Sequence, residues 1–165
     1  MNTPLPDILP LKPFLREIVW GGRRLQSFGK DLPPEVPIGE SFEVSALPDQ
    51  DSVVRCGPLA GLGLCDLLAR YGEELVGTAV KARYAADFPL LIKLIDAQDD
   101  LSIQVHPDDA YARAEGLGIF GKTESWYVLH SDGAKLALGL KAGTDEAGLR
   151  QALTEGRAED AVLYQ

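Results

Sequence analysis

The chain has 165 residues, of which 45% are hydrophobic and 25% are charged, and its formal net charge is −9. This composition is typical of one globular domain and excludes global disorder, while the acidic surplus argues against a nucleic-acid-binding protein, which needs Lys and Arg for phosphate contacts. No apolar run approaches the ~20 residues that span a bilayer. Two cysteines and a polar, proline-rich start predict a cytoplasmic protein with reduced thiols.

The first half of the sequence predicts short strands separated by loops, followed by one helix. Apolar residues recur at helical spacing from Leu64 to Leu75, which indicates an amphipathic helix facing a core. The predicted elements, in chain order, are an extended lead-in at 1–13, a strand at 14–20, a turn at Gly21-Gly22, a proline-rich loop at 29–39, a strand pair at 40–46 and 52–56, and a helix at 64–76.

The second half alternates strands with short helices. The nearly continuous apolar run at 89–96 predicts a strand buried on both faces, and Lys93 interrupts it. Such a lysine points either into a polar cavity or toward the edge of the sheet. The remaining predicted elements are strands at 101–106, 124–129 and 134–140, a helix near 107–115, and a helix capped by Thr144 and stopped at Gly156.

The stretch 101–107 alternates apolar and polar residues without a break, which predicts a half-buried strand. Successive strand side chains point to opposite faces, so Ser102, Gln104 and His106 share the polar face. An amide oxygen and an imidazole two residues apart, about 6–7 Å along a strand, can bind one metal ion. The alternative is an ordinary edge strand with a solvated polar face. The opposite face, predicted to be buried, carries Leu101, Ile103 and Val105.

A turn at Gly121 precedes Glu124, which opens the predicted strand 124–129. A carboxylate there could join His106 from a neighbouring strand. Imidazole, carboxylate and amide oxygen form a mixed set suited to a divalent ion such as zinc. Alternatively, Glu124 is an exposed carboxylate at a strand start, the commoner case for a single glutamate.

Together these motifs resemble the type I mannose-6-phosphate isomerase family, and most closely its short bacterial form. The similar segments run through nearly the whole chain in order: Trp20-Gly21-Gly22, residues 39–45, Lys93, residues 101–108 and residues 121–127. Strands with Pro and Gly turns favour a sandwich or barrel, and the resemblance implies a mainly β cupin jelly roll with a few peripheral helices.

The resemblance also implies a function, the reversible isomerisation of mannose 6-phosphate and fructose 6-phosphate by proton transfer between C1 and C2. It implies one zinc ion per chain bound by Gln104, His106 and Glu124. Ser102 is expected to donate to the substrate phosphate, while Trp20 and Glu40 are expected at the pocket wall. Lys93 and Lys122 are expected to line the same pocket and are the candidates for the catalytic base.

The family's fourth metal ligand, a histidine, and its catalytic arginine are expected beyond Gln165, and His130 is predicted to be a surface residue. Residues 1–165 therefore correspond to the N-terminal part of the catalytic domain and are expected to be inactive alone. The other hypotheses are a noncatalytic cupin-type metal- or sugar-binding module and an inactive fragment. The expected partner is a phosphosugar, with no nucleic acid and no membrane, and the oligomeric state stays open.

Overall fold

The computed structural model describes residues 3–85 and 87–165, in two compact units divided after Leu101. No helix within these two ranges is long and apolar enough to cross a membrane. The strands are β1 Leu11–Lys12, β2 Phe14–Gly22, β3 Ile38–Val44, β4 Ala46–Leu47, β5 Gln50–Asp51, β6 Val53–Val54, β7 Ile92–Ile95, β8 Ala137–Leu140 and β9 Val162–Tyr164. The α-helices are α1 Leu64–Tyr71, α2 Glu73–Val76, α3 Thr78–Tyr84, α4 Asp109–Ala114, α5 Glu146–Thr154 and α6 Ala158–Ala161, and a 3-10 helix covers Arg24–Phe28.

Antiparallel sheets form the main framework of the fold, as the sequence predicts, and the helices are short. In the first unit, β2, β3 and β7 form a three-stranded sheet with β3 in the centre, while β1 pairs with β6 and β4 with β5. In the second unit, β8 pairs with β9. The longest α-helix in the described ranges, α5, has nine residues.

Two clusters of buried aliphatic side chains hold the first unit together. Leu64 and Leu67 of α1 pack with Val54 and Leu59, which confirms the apolar face predicted for this helix. A second cluster lies next to the three-stranded sheet and contains Leu25, Leu32 and Ile38, with Leu15 and Leu94 packed against it. Each fully buried leucine contributes about 1.5–3 kcal/mol through removal from water.

The predicted helix 64–76 is wrong in its length, because the chain breaks it at Gly72. Gly72 has a φ of 49°, in the left-handed region that favours glycine, and its N–H still donates to the Leu68 carbonyl at 2.9 Å. α1 therefore ends at Tyr71, and two further short helices follow.

The predicted pairing of strands 40–46 and 52–56 is also wrong. β3 lies between β2 and β7, whereas the hairpin around Pro48 and Asp49 pairs β4 with β5 and keeps one further backbone contact, the Ser52 N–H donating to the Ser45 carbonyl at 2.8 Å. The Ser52 hydroxyl accepts from the Ser45 N–H at 3.0 Å. Between β3 and β4, a side-chain oxygen therefore accepts a hydrogen bond that a backbone carbonyl would accept in a regular sheet. The lead-in at 1–13, whose first two residues lie outside the described ranges, includes a strand, β1, that pairs with β6.

The Gly21-Gly22 turn is wrong as well, since both glycines belong to the buried end of β2. A Cβ on Gly21 would lie 2.3 Å from the Gly39 nitrogen, so β2 and β3 approach at a point where a side chain does not fit. The double glycine thus marks a close approach of two strands.

In the second unit, the predicted strands 101–106 and 124–129 are not formed. A strand requires a neighbouring backbone to accept its hydrogen bonds, and no ladder partner faces either segment within the described part of the chain. Val105, predicted to be buried, is 74% exposed. The strand at 89–96 shortens to β7, and the exposed Ile92 shows that it is not buried on both faces.

The helix and turn predictions of the second unit are more accurate. α4 lies within the predicted 107–115, and β8 lies within 134–140. The cap of α5 is Asp145, not Thr144: its carboxylate accepts from the Gly148 N–H at 2.8 Å, which satisfies a free donor of the first turn. Gly156, with a φ of 68°, follows the helix as predicted.

Candidate functional site

Five of the predicted site residues, Glu40, Lys93, His106, Lys122 and Glu124, take part in two groups of charged or polar contacts, one in each unit. The sheet triad, in the first unit, consists of Arg16, Glu40 and Lys93. The histidine–glutamate cluster, in the second unit, consists of His106, Lys122 and Glu124.

The register of the three-stranded sheet produces the sheet triad. Arg16 on β2 lies directly opposite Glu40 on β3, and Lys93 on β7 lies opposite Phe42. Because Glu40 and Phe42 are two residues apart, their side chains share one face of the sheet. Both cations therefore meet the same carboxylate, one from each neighbouring strand.

Each oxygen of the Glu40 carboxylate has its own cation. Arg16 Nη1 donates to Glu40 Oε2 at 2.8 Å, and Lys93 Nζ donates to Oε1 at 2.6 Å. Glu40 is only 3% exposed, so its charge needs these partners. The Lys93 ammonium also lies 5.8 Å from the centre of the Phe42 ring, within cation–π range. The polar environment predicted for Lys93 is thus supplied by Glu40.

Trp20 is positioned by the glycine that precedes Glu40. A Cβ on Gly39 would lie 2.5 Å from Trp20 Cζ3 and 2.1 Å from Ile18 Cγ2, so both side chains pack directly on the Gly39 backbone. The Trp20 carbonyl accepts from the Gln98 N–H at 2.8 Å. The two segments at 20–22 and 39–40 therefore form one packed unit beside the triad.

The histidine–glutamate cluster depends on a tight turn at Gly121. A Cβ there would lie 2.3 Å from the Pro107 carbonyl oxygen, and the Lys122 N–H donates to that oxygen at 3.0 Å. The Asp109 carboxylate accepts from the Gly121 N–H at 2.8 Å. These contacts hold the segment that carries Glu124 against the segment that carries His106.

The side chains of His106 and Lys122 meet the Glu124 carboxylate at one oxygen. His106 Nε2 and Lys122 Nζ each lie 2.9 Å from Glu124 Oε2. Next to them in sequence, the exposed Gln104 donates from Nε2 to Ser102 Oγ at 3.1 Å, which places these two side chains on the same side of the chain. The structure thus brings His106, Lys122 and Glu124 together, and separately Ser102 and Gln104.

A profile of the family described as phosphomannose isomerase type I, catalytic domain, matches residues 8–151, which include both groups. The chain belongs to this family. It is 43% identical over 154 residues to the mannose-6-phosphate isomerase of Streptococcus mutans, covering 92% of this chain and 46% of that protein. It is 44% identical over 138 residues to a probable mannose-6-phosphate isomerase of Bacillus subtilis, covering 82% of this chain and 42% of that protein.

The fold agrees with the family assignment. A crystal structure of the mannose 6-phosphate isomerase from Bacillus subtilis superposes with a TM-score of 0.80 at 35% identity, covering 94% of this chain and 48% of that one. The chain spans about half the length of the curated relatives that it matches.

The donors of the histidine–glutamate cluster fit a zinc ion in part. Ligand atoms of a tetrahedral zinc lie about 3.3 Å apart, given bonds of about 2.0–2.1 Å. The His106 Nε2 and Glu124 Oε2 atoms, 2.9 Å apart, need to separate by only a few tenths of an ångström to share an ion. No three His, Cys, Asp or Glu residues in the described ranges are grouped to hold a metal.

The sequence patterns do not single out Arg16 of the sheet triad or Asp96, whose N–H donates to the Gly39 carbonyl next to the triad. The sequence pattern indicates only an ordinary charged strand residue at Arg16, and the β2–β3 register shows that it lies opposite Glu40. The buried Asp96 was missed too, although it accepts from the Arg24 N–H at 2.6 Å beside Gly22. An acid that directly follows an apolar strand was the available signal for Asp96.

Proposed function

We propose that this chain is the N-terminal part of the catalytic domain of a zinc-dependent mannose-6-phosphate isomerase, which interconverts mannose 6-phosphate and fructose 6-phosphate. The observation that carries the proposal is the convergence of His106 and Lys122 on Glu124, 2.9 Å each, inside the region that matches the family. The similarity to proteins named mannose-6-phosphate isomerase supports the reaction and the substrate.

The metal in this proposal is one zinc ion held by Gln104, His106 and Glu124. When bound, zinc polarises a sugar oxygen and lowers the cost of negative charge on it. Glu124 supplies the negative charge that attracts the ion, and the neutral imidazole of His106 supplies a nitrogen. The turn at Gly121 fixes the separation of these two side chains.

Proton transfer between C1 and C2 needs a group that can take and return a proton. The candidates are Lys122, which lies beside Glu124 in the second unit, and Lys93 in the first unit, and either must be a neutral amine to take the proton. Lys93, Trp20 and Glu40 form the proposed substrate-binding set of the first unit, and Ser102 in the second unit is proposed to donate to the phosphate. Positive groups must act locally, since the whole chain carries a net charge of −9.

The proposal extends to the architecture. We infer a cupin jelly roll, in a cytoplasmic enzyme, that is completed by a segment equivalent to the second half of the relatives. The relatives' length and the exposed apolar side chains of residues 126–129 support this inference. A completing segment offers backbone partners to 101–106 and 124–129, and it brings the further histidine ligand and the arginine that the resemblance implies.

Activity tests this proposal directly. We expect residues 1–165 alone to show negligible isomerase activity, whereas a fusion to the second half of the Streptococcus mutans relative should be active and should lose activity on chelation. In the fusion, H106A should reduce kcat/KM by at least a hundredfold. The matched control is H130A, because His130 is exposed and paired with Asp132. An inactive fusion, or an active H106A fusion, contradicts the proposal.

Zinc binding by the 165-residue chain provides a second readout. Zinc that binds the folded chain raises its melting temperature according to concentration and affinity. We expect a small rise for the parent chain and for H130A, and none for H106A or Q104A. A rise of equal size in all four, or no rise in the parent, argues against the ligand set. Zinc binding combined with an inactive fusion favours the noncatalytic module.

A further inference from the structure

The sheet triad places two cations on one carboxylate, one more than neutralisation of a buried Glu40 requires. Arg16 and Lys93 each use one N–H group on Glu40, at 2.8 and 2.6 Å. Two positive groups and one negative group give the triad a formal net charge of about +1. This local charge has the opposite sign to the chain as a whole, whose net charge is −9.

The two cations differ in their access to solvent. The Arg16 side chain is 45% exposed and the Lys93 side chain 20%, while that of Glu40 is 5% exposed. Lys93 lies over the Phe42 ring, which fixes its stem on the sheet. With Arg16 present, the Glu40 charge is shared between two partners. Without Arg16, Glu40 would neutralise Lys93 alone, and no surplus positive charge would remain on this face.

We propose that Arg16 is a positioning residue for anion binding: by neutralising Glu40, it leaves the Lys93 ammonium available to attract the phosphate of a phosphosugar. Arg16 acts through Glu40 and does not need to touch the ligand. This inference rests on the proposed function, in which Lys93 and Glu40 belong to the substrate-binding set. It adds a residue that no motif contains, and it states why the sheet carries two cations for one acid.

The decisive variant is R16Q, because glutamine keeps a donor for Glu40 and removes only the charge. In ligand-observed NMR titrations of the 165-residue chain at low salt, we expect R16Q to bind mannose 6-phosphate about fivefold more weakly than the parent, as loss of one nearby charge predicts. R16K, which restores the charge, should bind within twofold of the parent. Uncharged mannose should bind all these chains equally.

R55Q is the matched control, since Arg55 is exposed, lies outside the three-stranded sheet, and its loss changes the net charge by the same amount. It should bind mannose 6-phosphate like the parent. Circular dichroism melts check folding, and if R16Q melts early, the comparison of R16K with R16M at a temperature where both are folded replaces it.

Four outcomes overturn the inference. The first three are equal affinity of R16Q and the parent, a loss in R55Q as large as in R16Q, and a loss in R16K as large as in R16Q. The fourth is failure of the parent to bind mannose 6-phosphate. The isomerase activity of the fusion is measured separately, so failure of the inference is distinguishable from failure of the proposed function.

Discussion

The first unit buries large aliphatic side chains in two clusters, whereas the apolar side chains buried in the described second unit are small. The first unit contains the three-stranded sheet and the clusters around Leu67 and Ile38. The buried apolar residues of the second unit are Ala112, Ala152, Ala161 and Val162. Many of its large apolar side chains are exposed, among them Trp126, Tyr127, Val128, Leu129, Leu138 and Leu140.

Because the two units differ in buried apolar packing, their candidate site residues are held in place by different contacts. Glu40 of the sheet triad is fixed by hydrogen-bonded strands and a packed layer below them. Glu124 is positioned by a turn and a few polar contacts, in a unit that buries little apolar area. Local opening costs less free energy where few apolar contacts are lost. We therefore expect the sheet triad to be rigid and the histidine–glutamate cluster to require a ligand or further chain to become rigid.

The largest expected effect comes from truncating a leucine in each unit. Leu67 is 0% exposed, so L67A should lower the free energy of unfolding by about 2–5 kcal/mol, because it removes buried methyl groups and leaves a cavity. L138A, at a side chain that is 55% exposed, should cost less than about 0.5 kcal/mol. Urea unfolding measures both. Equal losses would mean that the second unit has a packed core of its own.

A glycine-to-alanine pair should give effects of opposite sign. G39A forces a Cβ to within 2.1 Å of Ile18 and 2.5 Å of Trp20, so we expect a loss of about 1–3 kcal/mol from overpacking. G148A places alanine inside α5, where it is the better helix former, and should be neutral or stabilising by up to about 1 kcal/mol. Thermal melts of both variants test this, and a harmless G39A would show that the β2–β3 approach is loose.

The sequence predicted the elements whose signal is local and missed those whose signal lies in distant partners. The leucine stripe of α1 and the turn glycine at 156 are local patterns, and both are confirmed. The strand at 101–106 was inferred from alternation, yet alternation reports only which side chains could share a face. Whether a ladder forms depends on a neighbouring backbone, which no local pattern contains.

The same reasoning applies to the candidate site. The family resemblance predicts that Glu124 and His106 are neighbours, and Glu124 Oε2 lies 2.9 Å from His106 Nε2. Lys93 was predicted to face a polar cavity, and its partner Glu40 is 53 residues away in sequence. Lys93 and Arg16 share the Glu40 carboxylate because of the register of the three strands, and this register cannot be read from the sequence alone. The roles of these residues in binding and catalysis stay predictions.

Replacing one lysine in each group compares the two site carboxylates, since Lys93 pairs with Glu40 and Lys122 pairs with Glu124. K93M leaves the buried Glu40 with Arg16 alone, so we expect a loss of about 1–2 kcal/mol, smaller than for a buried acid stripped of all partners. K122M removes a half-exposed partner of Glu124 and should cost about 0–1 kcal/mol. In the active fusion, K93M should also reduce kcat/KM sharply. A strong melting-temperature loss with unchanged kcat/KM would assign Lys93 a structural role only.

The smallest expected effect concerns the two cysteines of the first unit. Burial raises the pKa of the Cys65 thiol, and the nearby Asp51 carboxylate raises that pKa further. The raised pKa lowers the fraction of reactive thiolate near pH 8, and partial burial restricts access. Cys56 is exposed. We therefore expect Cys65 to be alkylated several times more slowly than Cys56, as measured by mass spectrometry of each cysteine peptide.

D51N identifies the electrostatic part of this difference. Asp51 accepts from the Cys65 N–H at 3.0 Å, at the first turn of α1, and asparagine can still accept there without a negative charge. The pH at which Cys65 alkylation reaches half its maximal rate should move to a lower value in D51N, because the thiolate no longer faces an anion. D49N, in the same hairpin, should leave it unchanged. If Cys65 reacts as fast as Cys56 in the parent chain, α1 opens readily, and the contrast between a packed first unit and an open second unit does not hold.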